Sequence, residues 1–314
     1  MKTKKNKKGE LTTQQIVGLI ILVTSFVIIL FFLFRLNIGK ESKSELCHNS
    51  VILKSKSIFP QDTTQLSCYR NYKCITQDGS CEGLNSPEVV KVDNITKIYK
   101  ELATEMTDCW WMFGGGNINY VGKDLTKKNY CSICSQVLLD NSLNKIDGVK
   151  DGKISKDELY NYLSKTKMSD GKNTYAEYLF GTNNIEQLKQ ASLSKGGPGT
   201  FGSIDIGNEK QFFVVMGITS EVSTTSWWVA AAVGTGLGII AITPFGWVGA
   251  GIGIAVTSIA AGVAGSEISQ RVNPEISAIV IKGKGVDNNF MSPTVIENSE
   301  RFKALNCQEI LTYT

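Results

Sequence analysis

The chain has 314 residues, with 33 lysines and arginines against 29 aspartates and glutamates and a single histidine, His48. Five of the lysines and Glu10 fall in the first ten residues, MKTKKNKKGE, so the other 304 positions carry 28 basic and 28 acidic side chains. A neutral body has no electrostatic footprint for nucleic acid, and one histidine excludes multi-histidine metal centres and leaves little room for a Ser-His-Asp triad.

After the basic tail (1–10), Leu11 to Phe34 is uncharged. Its apolar part, Ile16 to Phe34, would make a helix of about 28 Å, close to the hydrocarbon thickness of a bilayer. It has no polar face, as a soluble core helix would. Residues 11–36 therefore read as a transmembrane anchor. The preceding lysines predict a cytoplasmic N-terminus and an extracytoplasmic body. Phe31, Phe32, Phe34 and Arg35 follow where a cleaved signal peptide would have small residues, which favours a retained signal-anchor. Lys7-Lys8-Gly9-Glu10, followed by a polar stretch and the apolar helix, resembles an archaeal-type prepilin signal. That resemblance implies cleavage between Gly9 and Glu10 and packing of the helix into a filament core. It departs from the pattern at Gln14, where many pilins carry glutamate.

All eight cysteines follow the anchor: Cys47, Cys68, Cys74, Cys81, Cys109, Cys131, Cys134 and Cys307. An even count on the predicted outer side reads as a disulfide framework, whose 105 possible pairings the sequence does not resolve. Cys131-Ser-Ile-Cys134 also fits a redox pair or half of a zinc site. No thioredoxin-like pattern leads into it, and thiolates are disfavoured in an oxidising compartment. Residues 37–221 thus form a predicted cysteine-rich domain of mixed helix and strand. Ser50 to Ile58 reads as a short strand, and Cys68 to Cys81 as a stapled loop region. Pro87 to Cys109 carries apolar residues at helical spacing (Val89, Val92, Ile95, Ile98, Leu102, Met106) and contains a glycosylation sequon at Asn94. Trp110 to Phe113 reads as a core anchor, with Gly114-Gly115-Gly116 allowing a tight exit. His48 adjoins Cys47 but, as a sequence neighbour, does not face it, and reads as a surface residue.

Asp147 to Glu158 resembles the twelve-residue EF-hand calcium loop. The resemblance places Asp147, Asp151, the carbonyl of Lys153, Ser155 and Glu158 at ligand positions, with Gly152 at the sharp turn and Ile154 at the apolar eighth position. Val149 stands where the third position needs Asp or Asn, and no full incoming helix precedes the loop. The competing reading is a polar turn in which Ser155 and Glu158 form a capping box. The cofactor implied is calcium, bound weakly. Tyr160 to Phe180 reads as helices around a Ser169-Asp-Gly-Lys turn, and Gln211 to Thr219 as a buried strand.

Val222 to Ser266 is 45 residues without a charge, divided by Thr243-Pro-Phe-Gly246. Gly234 and Gly238, and Gly249 and Gly253, have the spacing that lets helix backbones approach closely in lipid. Residues 222–266 are expected to form a glycine-rich helical hairpin, inserted in the membrane or buried in the protein. Residues 267–314 then return to the extracytoplasmic domain, with Ile276 to Ile281 able to pair with Gln211 to Thr219.

The fold class expected is α+β: a transmembrane helix, a disulfide-stapled mixed domain, and a hydrophobic hairpin before the C-terminal strand. Taken whole, the chain resembles archaeal membrane-anchored surface proteins with a DCWWMF-like segment (Asp108 to Phe113) and a later CxxC. No nucleophile–base pair assembles, so the expected role is non-enzymatic, structural or in assembly, with the membrane and further copies of the chain as partners and no nucleic acid. A pilin-like filament subunit and a pore-forming or membrane-remodelling protein are the alternatives.

Overall fold

The computed structural model describes residues 13–35, 43–56, 66–121, 129–186, 201–207, 210–219, 240–242, 254–255, 279–282, 288–297, 302, 305, 307 and 309–313. The chain divides into two units, 1–42 and 43–314.

In the first unit, α1 (Thr13–Arg35) is one continuous helix. Its stretch Gln14–Phe31 is long and apolar enough to cross a membrane, and none of it is buried. Ile20, Leu22, Phe26 and Phe31 all stand exposed. The two hydroxyls in mid-helix return their hydrogens to the preceding turn, Thr24 to the carbonyl of Ile20 and Ser25 to that of Leu22. Neither then needs a solvent partner. The cleavage site expected between Gly9 and Glu10 lies outside the described residues.

The second unit is mixed helix and strand, as expected. Its helices are α2 (Lys43–Lys56), α3 (Ile95–Met112), α4 (Lys156–Lys165) and α5 (Tyr175–Phe180). Its strands are β1 (Asn71–Thr76), β2 (Glu88–Lys91), β3 (Asn129–Leu139), β4 (Lys153–Ser155), β5 (Ser203–Asp205), β6 (Gln211–Thr219), β7 (Ile240–Ile242), β8 (Ile254–Ala255), β9 (Ile279–Lys282), β10 (Asn289–Glu297) and β11 (Glu309–Ile310). The main sheet runs β2-β1-β3-β6-β10-β9-β7-β8. β1 lies parallel to both β2 and β3, while β3, β6, β10 and β9 alternate antiparallel. β1 and β11 share one edge of β3, pairing with its second and first halves. β4 and β5 form a separate two-stranded ribbon.

Burial on both faces explains why β6 reads as a near-continuous apolar run, while β3 buries the polar Ser132, Ser135 and Gln136 among its apolar residues. One face carries Val137, Phe212, Val214 and Met216 against Ile98, Leu102 and Met106 of α3 and Leu179 of α5. The other carries Cys131, Ile133, Val215 and Met291 against Leu305. Two polar ties pin helices to β10. Lys156 Nζ donates to the carbonyl of Val295 at 2.9 Å, and Ser292 Oγ to that of Leu179 at 3.0 Å.

Several expectations are corrected. Ser50 to Ile58 is not a strand: up to Lys56 the chain is helical in α2, which buries Cys47 and Val51, one helical turn apart. The helix expected from Pro87 begins at Ile95, because Glu88–Lys91 is strand β2. The segment read as a stapled loop is stapled by Cys74–Cys81, but it also contains β1, whose Cys74 and Ile75 are fully buried. Ile279–Lys282 does not pair with β6, because β10 lies between them. Of residues 222–266, the five described are extended, not helical, with β7 antiparallel to β8 and parallel to β9. Gly234, Gly238, Gly249, Gly253 and the rest of the expected hairpin lie outside the described residues.

Candidate functional site: an aromatic cleft at the end of α3

α3 starts on an Asn94 cap, whose side chain accepts from the Lys97 amide at 2.9 Å. The sequon asparagine is thus engaged in holding the helix start. The helix stops at the glycine run. The Gly114 amide donates to the Trp111 carbonyl at 3.0 Å, and the Gly115 amide to the Trp110 carbonyl at 2.8 Å. This is a Schellman closure, and it needs left-handed backbone. Gly114 has φ +80°, and a Cβ there would meet Ile118 Cδ1 at 2.5 Å. The closure splits the aromatic run: Trp110, Met112 and Phe113 are buried as expected, whereas Trp111 is 38 % exposed.

Beside it lies a cleft of about 660 Å³. The end of α3 contributes Trp110, Trp111 and the loop to Ile118; α2 contributes His48; α5 and its flanks contribute Asn173, Glu177, Tyr178 and Gly181. His48 stacks on Trp111 with ring centroids 4.1 Å apart and planes 17° from parallel. Its Nδ1 lies 2.7 Å from the Trp111 carbonyl, which only accepts, so Nδ1 carries the hydrogen and Nε2 is left for other contacts. Glu177 closes a capping box: its carboxylate accepts from the Thr174 amide at 2.7 Å and from Asn183 at 3.3 Å. The Asn117 amide group donates to the carbonyls of Gly114 and Gly115. Burial, then the charges of Asp108 and Asp170, raise the pKa of the Tyr178 phenol.

Along α3 from the cleft runs a charged cluster. Lys73 Nζ lies 2.7 Å from Glu105 and 3.2 Å from Glu101, with the Lys73 and Glu105 side chains only 7 % and 6 % exposed. Burial alone would lower the lysine's pKa, but the two carboxylates outweigh it and hold it above the ordinary range. Asp108 keeps one side in solvent. Desolvation by its neighbours, then repulsion from Glu105, push its pKa up to about 6.

The eight cysteines form four disulfides: Cys47–Cys68, Cys74–Cys81, Cys109–Cys134 and Cys131–Cys307. The two cysteines of the CxxC motif do not pair with each other. As neighbours three apart across the β3 bulge they serve opposite faces, Cys134 in the helix-side core and Cys131 under the C-terminal segment.

The calcium-loop residues are placed otherwise than the resemblance implies. Asp151 and Gly152, with φ of +51° and +69°, form the two-residue turn of a tight hairpin closed by Lys150 and Lys153. This is the type I′ turn that an Asp-Gly pair favours. Ser155 caps α4, accepting from the Glu158 amide, and Glu158 accepts from the Tyr99 hydroxyl at 2.8 Å. Asp147 stands exposed before Gly148. Among the described residues no three acidic, histidine or cysteine groups converge as a metal site would require. As placed, Asp151 serves a hairpin turn, Ser155 a helix cap and Glu158 the Tyr99 hydroxyl, rather than one shared point.

No protein-family model matches the chain, and no curated protein or solved structure is significantly similar to it. Sequence reasoning did not assemble the cleft. Its signals were the lone histidine and the paired tryptophans against three glycines, but Asn173 and Tyr178 arrive only through the packing of α5 on α3.

Proposed function

We propose that the protein is a membrane-anchored, non-enzymatic component of the cell surface, with α1 as a permanent anchor, the N-terminus cytoplasmic and the disulfide-bonded unit outside. Its role is structural or in assembly, through contacts between copies of the chain. The observation that carries this reading is the division of the molecule. The apolar side chains of Gln14–Phe31 have no protein cover, and all eight cysteines are paired in the unit that follows. Disulfides persist in oxidising compartments, and an uncovered apolar helix of this length finds its cover in lipid.

The test is labelling of intact cells with a membrane-impermeant maleimide after mild reduction. Labelling before lysis supports the reading; labelling only after lysis overturns the orientation. The N-terminal residue of the protein taken from its membrane adds an independent check. Met1, or residue 2, fits a permanent anchor, and Glu10 would transfer the protein to the filament-subunit reading.

A further inference from the structure

We propose that the cleft at the end of α3 binds an organic ammonium group, a cation whose charge is wrapped in methyl or methylene groups. The inference does not depend on the membrane placement.

Three features select this chemistry. First, the lining is aromatic: Trp111, one face of which is taken by His48, Tyr178 and an edge of the largely buried Trp110 contribute to the cleft, and aromatic rings of this kind attract cations. Second, the electrostatics are one-sided. No lysine or arginine lines the cleft among the described residues, whereas Glu177 does. Asp108 lies one turn before Trp111 on α3, and the charges of Asp108 and Asp170 both bear on Tyr178. Lys172, in the same turn as Asn173, is the nearest cation in sequence and is not among the lining residues. Third, the C-terminus of the 18-residue α3 ends at the cleft, adding the negative end of its dipole.

The same geometry disfavours two other ligand classes. A metal ion needs convergent hard oxygens, and none converge among the described residues. A saccharide needs unspent hydrogen-bonding groups. Here two polar side chains of the lining are already engaged, the Asn117 amide hydrogens with Gly114 and Gly115 and Glu177 with Thr174 and Asn183, while the Nδ1 side of His48 is spent on Trp111 and its Nε2 is left. An alkylammonium needs few directed hydrogen bonds, so spent polar groups cost it little.

The test uses the full chain in a polyoxyethylene detergent, which carries neither a choline nor a sugar headgroup. Choline is titrated by calorimetry, beside its uncharged isostere 3,3-dimethylbutan-1-ol and methyl glucoside. Saturable choline binding, about tenfold tighter than the isostere, is expected. Trp111→Ala should weaken it by a similar factor and Trp111→Phe by less, with near-ultraviolet circular dichroism confirming that both variants are folded. Perturbation of the Trp111 indole and Gly115 amide resonances in the unmutated protein locates the ligand without any variant. Equal binding of the uncharged isostere, preference for the glucoside, or no saturable binding by the folded protein would each overturn the proposal.

Discussion

His48 grips Trp111 twice, by stacking its ring at 4.1 Å and by donating Nδ1–H to the carbonyl of the same residue at 2.7 Å. α2 is thereby fastened to the last turn of α3, where the Schellman closure also uses that carbonyl. His48→Phe keeps the stack and loses the hydrogen bond, at a cost of about 1 kcal/mol. His48→Ala loses both, at about 2 kcal/mol. Denaturant midpoints of the two variants check the order; equal midpoints would show that the stack contributes nothing.

The pair Lys73–Glu105 is nearly sealed from solvent, so its partners are not separately dispensable. Lys73→Met leaves Glu105 buried without a counter-charge and should cost about 3–5 kcal/mol. Adding Glu105→Leu should restore most of that loss, because an apolar pair of similar volume carries no desolvation penalty. A double-mutant cycle by urea unfolding measures it.

Asp108 predicts a pH dependence. Its folded pKa of about 6 lies above the ordinary carboxyl value of 3.8, so the folded state binds the proton more tightly. Its contribution to stability is complete below that lower value and is lost as pH rises through about 6. Asp108→Asn should therefore stabilise the protein at pH 7 by about 1 kcal/mol, a figure discounted for its solvent-facing side. Melting curves from pH 4 to 7 (on the order of half-unit steps) should flatten in the variant.

The disulfides differ in the chain they enclose. Cys131–Cys307 spans 176 residues and Cys74–Cys81 spans 7. On chain entropy, removing the first should cost about 5 kcal/mol and the second about 2.5 kcal/mol. Paired cysteine-to-alanine variants compared by guanidinium unfolding test the ratio. A single backbone cut between the two cysteines of the long bridge should leave one species on a non-reducing gel and two fragments after reduction.

Where the sequence was legible, one period or one run dominated. α1 has an unbroken apolar stretch, α3 repeats at three and four, and β6 is an apolar run buried on both faces. α2 was misread because Val51-Ile-Leu53 is a short apolar cluster compatible with either period. Only the packing shows that Cys47 and Val51 share the buried face while Leu53 is exposed. β10 was missed because Pro293 argues against a central strand. The register shift between Met291 and Thr294 absorbs that proline. In the Asp147–Glu158 loop the residues that resemble calcium ligands belong to a hairpin turn and a helix cap, which draw on the same residue types. The disulfide pairing and the cleft depend on contacts between distant segments, to which local pattern is blind.

The place of β10 between β6 and β9 has a consequence for biosynthesis. During synthesis, the β6 edge that will receive β10 has no native partner until Asn289, opposite Thr219, has left the ribosome. At roughly 5–20 residues per second, that is a wait of roughly 4–14 seconds. An apolar, unpaired edge is a template for pairing with another chain. The nascent protein therefore passes through an interval in which that edge stands open to pairing with other chains before the native neighbour arrives.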